Sequence, residues 1–260
     1  MDSTTVAGIY LKHAPPTAPA GDRPPLLLVH GAGHGAWCWR NWMEALPQRG
    51  WDCWALSLRN HPGSAPVDAE TYRARLTVDD YAADVATAAG HIGRPVVVVG
   101  HSLGGIVAQA HAARAEAAAL VLLASVPPGA FAPIRQAPVP TDRDYLLSPE
   151  VACAHYFLRP EAVGAAALMA RLVPESPAVM NHYSLGEGYP VSPAAIRCPV
   201  LVVSAEQDRS VVPRDRRLAD YYGADYLLAE DIGHDLMLDA GWERPLARVE
   251  AWLAERFPAG

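Results

Sequence analysis

The pentapeptide Gly100-His101-Ser102-Leu103-Gly104 follows the run Val96-Val97-Val98-Val99 and leads into an apolar stretch with helical spacing. A serine with glycine two residues away on either side, at a strand-to-helix turn, is held in a strained conformation that exposes its hydroxyl. That hydroxyl is a weak nucleophile until a base takes its proton, so a histidine, and a carboxylate to orient it, should accompany it. Of the ten histidines, His234 lies beyond the last strand-like runs, in Asp231-Ile232-Gly233-His234-Asp235. Asp208 stands just past Val200-Leu201-Val202-Val203-Ser204, at the strand end where open α/β sheets gather catalytic groups. Glu206, two residues earlier, competes for the same role. The negative charge that develops on an attacked carbonyl needs two donors. Leu103 N–H, at the helix start, is one. The other is assigned to Ala32 N–H in His30-Gly31-Ala32-Gly33-His34-Gly35-Ala36-Trp37, whose three glycines let backbone approach a substrate. A phosphate-binding loop would need Gly-x-Gly-x-x-Gly spacing or a following lysine, and this stretch has neither.

These groups need a frame. Nearly unbroken apolar runs at 26–30, 95–100, 120–125 and 200–204 suit parallel strands covered on both faces. Weaker strands fit 6–11, 51–58 and 225–228. Thr77-Val78-Asp79-Asp80 is a helix-capping signature, and Tyr81, Ala82, Val85, Ala89 and Ile92 follow at helical spacing. Leu103, Ile106, Val107, Ala110 and Ala113 make a second stripe. Leu246, Val249, Trp252 and Leu253 make a last one over 242–257. Alternating strands and helices of this kind predict an α/β domain with a mostly parallel central sheet. Residues 15–25, rich in proline, link an edge strand to the first core strand.

The rhythm breaks between 126 and 199. Half of the 24 prolines fall between Pro127 and Pro199, with helical pieces predicted at 149–157 and 161–172. An insertion this long between core strands forms its own layer. The expected organisation is a core of residues 1–126 and 199–260 with a helical cap at 127–198. Candidates for the substrate-facing walls are Phe131, Tyr145, His155, Tyr156, Phe157, His182 and Tyr183 from the insertion, with His34 and Trp37 from the glycine loop.

The composition removes other chemistries. Among 21 basic residues Lys12 is the sole lysine, and it sits in no pocket-forming context, which argues against Schiff-base and P-loop enzymes. A net charge of −7 without a basic run argues against nucleic acid as the partner. No apolar run approaches the ~20 residues of a membrane span. Met1-Asp2-Ser3-Thr4-Thr5 lacks the basic start of a signal peptide, so the expected location is cytoplasmic. Cys38, Cys53, Cys153 and Cys198 share no CxxC spacing and read as small apolar residues.

Taken together, these residues resemble the α/β-hydrolase-fold serine hydrolases over essentially the whole chain. His30-Gly31-Ala32-Gly33-His34-Gly35-Ala36-Trp37-Cys38-Trp39 is similar in particular to the opening loop of the plant methylesterase and hydroxynitrile lyase branch and its bacterial esterase relatives. The resemblance implies a triad of Ser102, Asp208 and His234, oxyanion donors at Ala32 and Leu103, and a cap inserted after the sixth strand. Ser57-Leu58-Arg59-Asn60-His61-Pro62-Gly63-Ser64 resembles the family's Asp-x-Arg-Gly-His-Gly-x-Ser turn, with departures at Ser57, Asn60 and Pro62. The lyases of this branch carry a lysine directly after the catalytic histidine. Asp235 stands there instead, which argues against cyanohydrin cleavage. Serine at the nucleophile position likewise speaks against epoxide hydrolase and haloalkane dehalogenase chemistry. The expected protein is a monomeric or homodimeric serine hydrolase that cleaves a small-molecule carboxylic ester, thioester or lactone through an acyl-serine, with no cofactor, metal or membrane. The same triad would also serve a cyclase, an acyltransferase or a C–C bond hydrolase, and the fold alone could serve a ligand-binding receptor.

Overall fold

A computed structural model describes residues 1–131, 137–211 and 216–259. The strands are β1 (Asp2–Val6), β2 (Ile9–Ala14), β3 (Leu26–Val29), β4 (Cys53–Ser57), β5 (Val97–His101), β6 (Ala119–Leu123), β7 (Val200–Ala205) and β8 (Asp225–Ala229). The α-helices are α1 (Arg40–Ala45), α2 (Ala69–Ala74), α3 (Val78–Ile92), α4 (Leu103–Ala112), α5 (Pro149–Tyr156), α6 (Ala165–Met169), α7 (Pro177–Ser184), α8 (Arg217–Tyr222) and α9 (Glu243–Arg256). The strands form one sheet in the order β1-β2-β4-β3-β5-β6-β7-β8. β1 with β2 and β2 with β4 are antiparallel, and every other pair is parallel. This is the α/β-hydrolase fold.

Every residue of β3, β5, β6 and β7 is buried, because helices cover both faces. Alternate side chains feed two cores. Leu26, Leu28, Val97, Val99 and Val121 pack with Trp42 of α1 and with Leu246, Val249 and Leu253 of α9. Leu27, Val29, Val98, Leu120 and Leu122 pack with Tyr81 and Val85 of α3, Ile106 and Val107 of α4, and Leu218 of α8. The four cysteines are unpaired, and Cys38 and Cys53 are core residues whose thiol pKa values burial pushes up.

Thr77 and Asp80 satisfy each other's backbone N–H at the start of α3, as the capping signature predicts. The single strand expected at 6–11 is instead the turn of a hairpin: Ala7 (φ +47°) and Gly8 (φ +84°) reverse the chain between β1 and β2. Two consecutive positive φ values give a turn whose twist matches the strands on either side. β2 is therefore interior and β1 is the edge, which corrects the placement of residues 15–25 after an edge strand. The helix expected at 161–172 breaks at Gly164 (φ +62°) into a 3₁₀ turn, Pro160–Val163, and α6. α7, which the sequence analysis did not anticipate, starts where Ser176 accepts from Val179 N–H and Pro177 occupies the first turn. Between β6 and β7 the described residues contain these helices and no strand beyond the single bridge Tyr145–Glu175. Among the described residues no helix is long and apolar enough to cross a membrane.

Candidate active site

Ser102 sits where β5 turns into α4, at φ +53° and ψ −121°. A non-glycine residue holds such a conformation only when its surroundings fix it. Ser102 N–H donates to Leu123 O (3.0 Å), and its carbonyl accepts from Val126 N–H (3.0 Å) and Gly105 N–H (2.9 Å). Two residues on, α4 rests directly on the end of β3. A Cβ at Gly104 would stand 2.4 Å from the carbonyl oxygens of Val29 and His30, so only glycine allows this approach. Leu103 opens α4, and its N–H has no acceptor within the helix.

His234 Nδ1–H donates to Asp208 Oδ2 at 2.9 Å, and both side chains are buried. Burial opposes the charged form of each, but the pairing outweighs it. The His234 pKa is raised and that of Asp208 is lowered, the latter helped by the N–H groups of Ser210 (2.7 Å) and Val211 (3.1 Å). With Nδ1 committed, His234 keeps Nε2 for a proton. Glu206 points elsewhere, accepting from Asp231 N–H (2.9 Å) and bracing the histidine loop. Beneath His234, His101 Nε2–H donates to the His234 carbonyl at 3.0 Å. Burial and the neighbouring His234 hold the His101 pKa down at about 3, so that ring stays neutral.

The loop after β3 is fixed atom by atom. The Gly31 carbonyl accepts from His30 Nδ1–H (2.8 Å) and from His34 N–H (3.2 Å). In a trans peptide N–H points opposite to C=O, so this turns Ala32 N–H the other way, and it has no acceptor among the described residues. His34 bridges the Ala32 carbonyl (2.8 Å) and Asp235 Oδ2 (3.2 Å). Ser57, which departs from the family's turn, accepts Ala36 N–H on its Oγ at 3.0 Å and so ties that turn to the loop.

Ser102, His234 and Ala32 share one cavity of about 250 Å³, completed by Val126, Tyr145, Leu147, Val151, His155, Tyr156, Tyr183, Ser210 and Val211. Among the described residues no lysine or arginine lines it. Tyr145, Tyr156, Tyr183 and His155 are wall residues anticipated from sequence; Leu147, Val151, Val126 and Val211 were missed because isolated aliphatics carry no local signal. His34 instead packs behind the loop, with its ring 5.8 Å from that of Tyr156. Trp37 stacks on His34 at 5.3 Å beneath Arg171. Phe131 packs on Tyr221, and Phe157 is core. His182 Nδ1 accepts Val78 N–H (3.1 Å) at the start of α3. These five do not line the cavity. Large rings are most stable where they bury most area, which here is between layers.

Three ligand-capable atoms of His101, His234 and Asp235 lie within 4.8 Å of one another, all buried. Each residue uses one polar atom elsewhere, His234 with Asp208, His101 with the His234 carbonyl and Asp235 with His34, while His101 Nδ1 and Asp235 Oδ1 are buried without a hydrogen-bond partner among the described residues.

The sequence profile described as "Alpha/beta hydrolase family" matches residues 26–252. The chain is 38% identical over 82 residues to "Probable esterase PIR7A" of Oryza sativa subsp. indica, covering 31% of this chain and 30% of that protein. It is 36% identical over 87 residues to "Protein phosphatase methylesterase 1" of Rattus norvegicus, covering 33% and 22% respectively. The chain thus spans under a third of the length of these curated relatives. A thermophilic esterase from Thermogutta terrifontis superposes with a TM-score of 0.73 at 22% identity, over 99% of this chain and 100% of that one, a likeness of fold.

Proposed function

The chain belongs to the alpha/beta hydrolase family, and from that premise we propose that it is a serine hydrolase acting on a small-molecule carboxylic ester, thioester or lactone. The observation that carries this reading is the buried 2.9 Å Asp208–His234 hydrogen bond at a cavity that Ser102 and His234 both line. His234 Nε2 takes the Ser102 proton as Oγ attacks the acyl carbon, and Asp208 stabilises the imidazolium so formed. Ala32 N–H and Leu103 N–H receive the charge on the tetrahedral oxygen. The imidazolium protonates the leaving group, and water repeats the cycle on the acyl-serine. Residues 127–198 act as a cap, with Tyr145, Leu147, Val151 and Tyr156 walling the acyl site. Among the described residues the walls carry no lysine or arginine, which favours an uncharged acyl group. Ser102→Ala is expected to lower kcat for p-nitrophenyl acetate by roughly 10³-fold or more. A fluorophosphonate is expected to label the wild type stoichiometrically and this variant not at all. Near-wild-type turnover in Ser102→Ala would remove Ser102 from the mechanism.

A further inference from the structure

Glu175, from the insertion, is a fully buried carboxylate whose four acceptor positions are all taken. Oε1 accepts from Tyr81 Oη–H (2.6 Å) and Ser176 N–H (2.8 Å). Oε2 accepts from His61 Nε2–H (3.2 Å) and from the backbone N–H of Gly33 (3.1 Å), the residue after Ala32. His61 Nδ1–H donates to the Arg59 carbonyl (3.0 Å), so both ring nitrogens carry protons. Burial disfavours the charged form of either partner, but each supplies the other's countercharge and the Glu175 carboxyl stays at about 2. A buried ion pair of this kind adds little stability over apolar side chains of the same volume. What it holds in place is the better explanation for its presence.

We propose that Glu175 is a positioning residue for the oxyanion hole, with His61 as its charged support; this rests on the serine-hydrolase reading above. The Ala32–Gly33 peptide is gripped at both poles, its carbonyl by His34 Nδ1 (2.8 Å) and its N–H by Glu175. Two residues before Glu175, Val173 N–H donates to the Gly33 carbonyl at 2.9 Å. Gly33 adopts φ +69°, and a Cβ there would meet the Val173 carbonyl at 2.8 Å, so the two strands of backbone touch. Ala32 N–H belongs to the preceding peptide, which joins this one at the Ala32 Cα; with the Ala32–Gly33 peptide held by His34 and Glu175, and Gly33 held by Val173, that Cα and the direction of its N–H are fixed from the downstream side. Residues 173–175 of the insertion therefore complete the wall that orients the oxyanion donor.

Glu175→Gln keeps the volume but must turn an NH₂ toward two of the four donors. Its kcat for p-nitrophenyl acetate is expected to fall about 10-fold, less than the ~10²–10³-fold that follows outright removal of an oxyanion donor, because Ala32 N–H is misaligned and not lost. KM should stay within about twofold, and the Ki of phenylboronic acid, which forms a tetrahedral adduct on serine, should rise by the same factor as kcat falls. Fluorophosphonate titration should still count one site per chain in the variant. Unchanged kcat and Ki, or KM and Ki rising together, overturns the assignment. If Glu175→Gln does not fold, His61→Gln reads the same contact from its other partner, with the same paired shift expected and its absence overturning. A wild type that fluorophosphonate does not label overturns the hydrolase reading itself, and with it the assignment.

Discussion

Asp208 and His234 titrate as a pair, and the direction of their shifts fixes a pH profile. On the proposed mechanism His234 would serve as the base only when neutral, and its pKa is raised from the ordinary ~6.5 despite burial, because Asp208 faces it. kcat/KM is therefore expected to rise with pH through that raised value. Asp208→Asn removes the charge that raises it, so the acidic limb should move to lower pH while kcat drops by roughly 10⁴-fold. A limb that stays put in this variant would mean that another group controls the profile. The same shifts bear on stability. The His234 contribution is fully present below ~6.5 and is lost as pH rises through the raised pKa. The Asp208 contribution is present above ~3.9 and is lost as pH falls through its lowered pKa. Ser102, His234 and Asp208 could be proposed from the sequence because each lies in a short local pattern at or after a strand end. Glu175 could not, since it lies 114 residues from His61 and 142 from Gly33 along the chain.

The four interior parallel strands were legible for a physical reason: buried on both faces, they leave no polar position to blur the run. α3 was legible from its cap. Thr77→Ala removes the side-chain acceptor for Asp80 N–H and is expected to cost about 1 kcal/mol. That should lower Tm by ~2–4 °C and leave kcat unchanged, as a thermal melt beside an ester assay would show. Features set by tertiary contact escaped the sequence. The β1–β2 hairpin turns on Ala7, a residue without turn preference, at positive φ. α7 is eight residues long and begins with proline, too short to display a period of its own. Two of the departures in the Ser57–Ser64 turn have a visible part in its geometry: Ser57 accepts from Ala36 N–H and Asn60 adopts φ +63°, while Ser64, which matches the family's turn, closes Oγ–H on the Ser57 carbonyl at 2.6 Å.

Across the whole molecule, the insertion and the histidine loop meet at Asp239. Its buried carboxylate accepts Leu158 N–H (2.8 Å), Gly233 N–H (2.8 Å) and Ala240 N–H (2.8 Å). Nearby, Asp235 N–H donates to the Tyr156 carbonyl at 2.9 Å. Asp239→Ala removes the acceptor of the Leu158, Gly233 and Ala240 N–H groups and of the more distant Arg159 N–H (3.5 Å), and a loss of ~2–3 kcal/mol is expected from urea unfolding. kcat should fall as well, because Gly233 adjoins His234. A variant as stable and active as the wild type would show that water replaces the carboxylate without cost. The insertion is thus fastened on two sides of the cavity, at Gly33 through Val173 and at Asp239 through Leu158. Attachment at both points leaves these segments less freedom to surrender when a ligand binds. On the serine-hydrolase reading, an acyl group would meet walls already held at these two points, so that fit to a standing shape, rather than closure around the ligand, would set which groups are accepted.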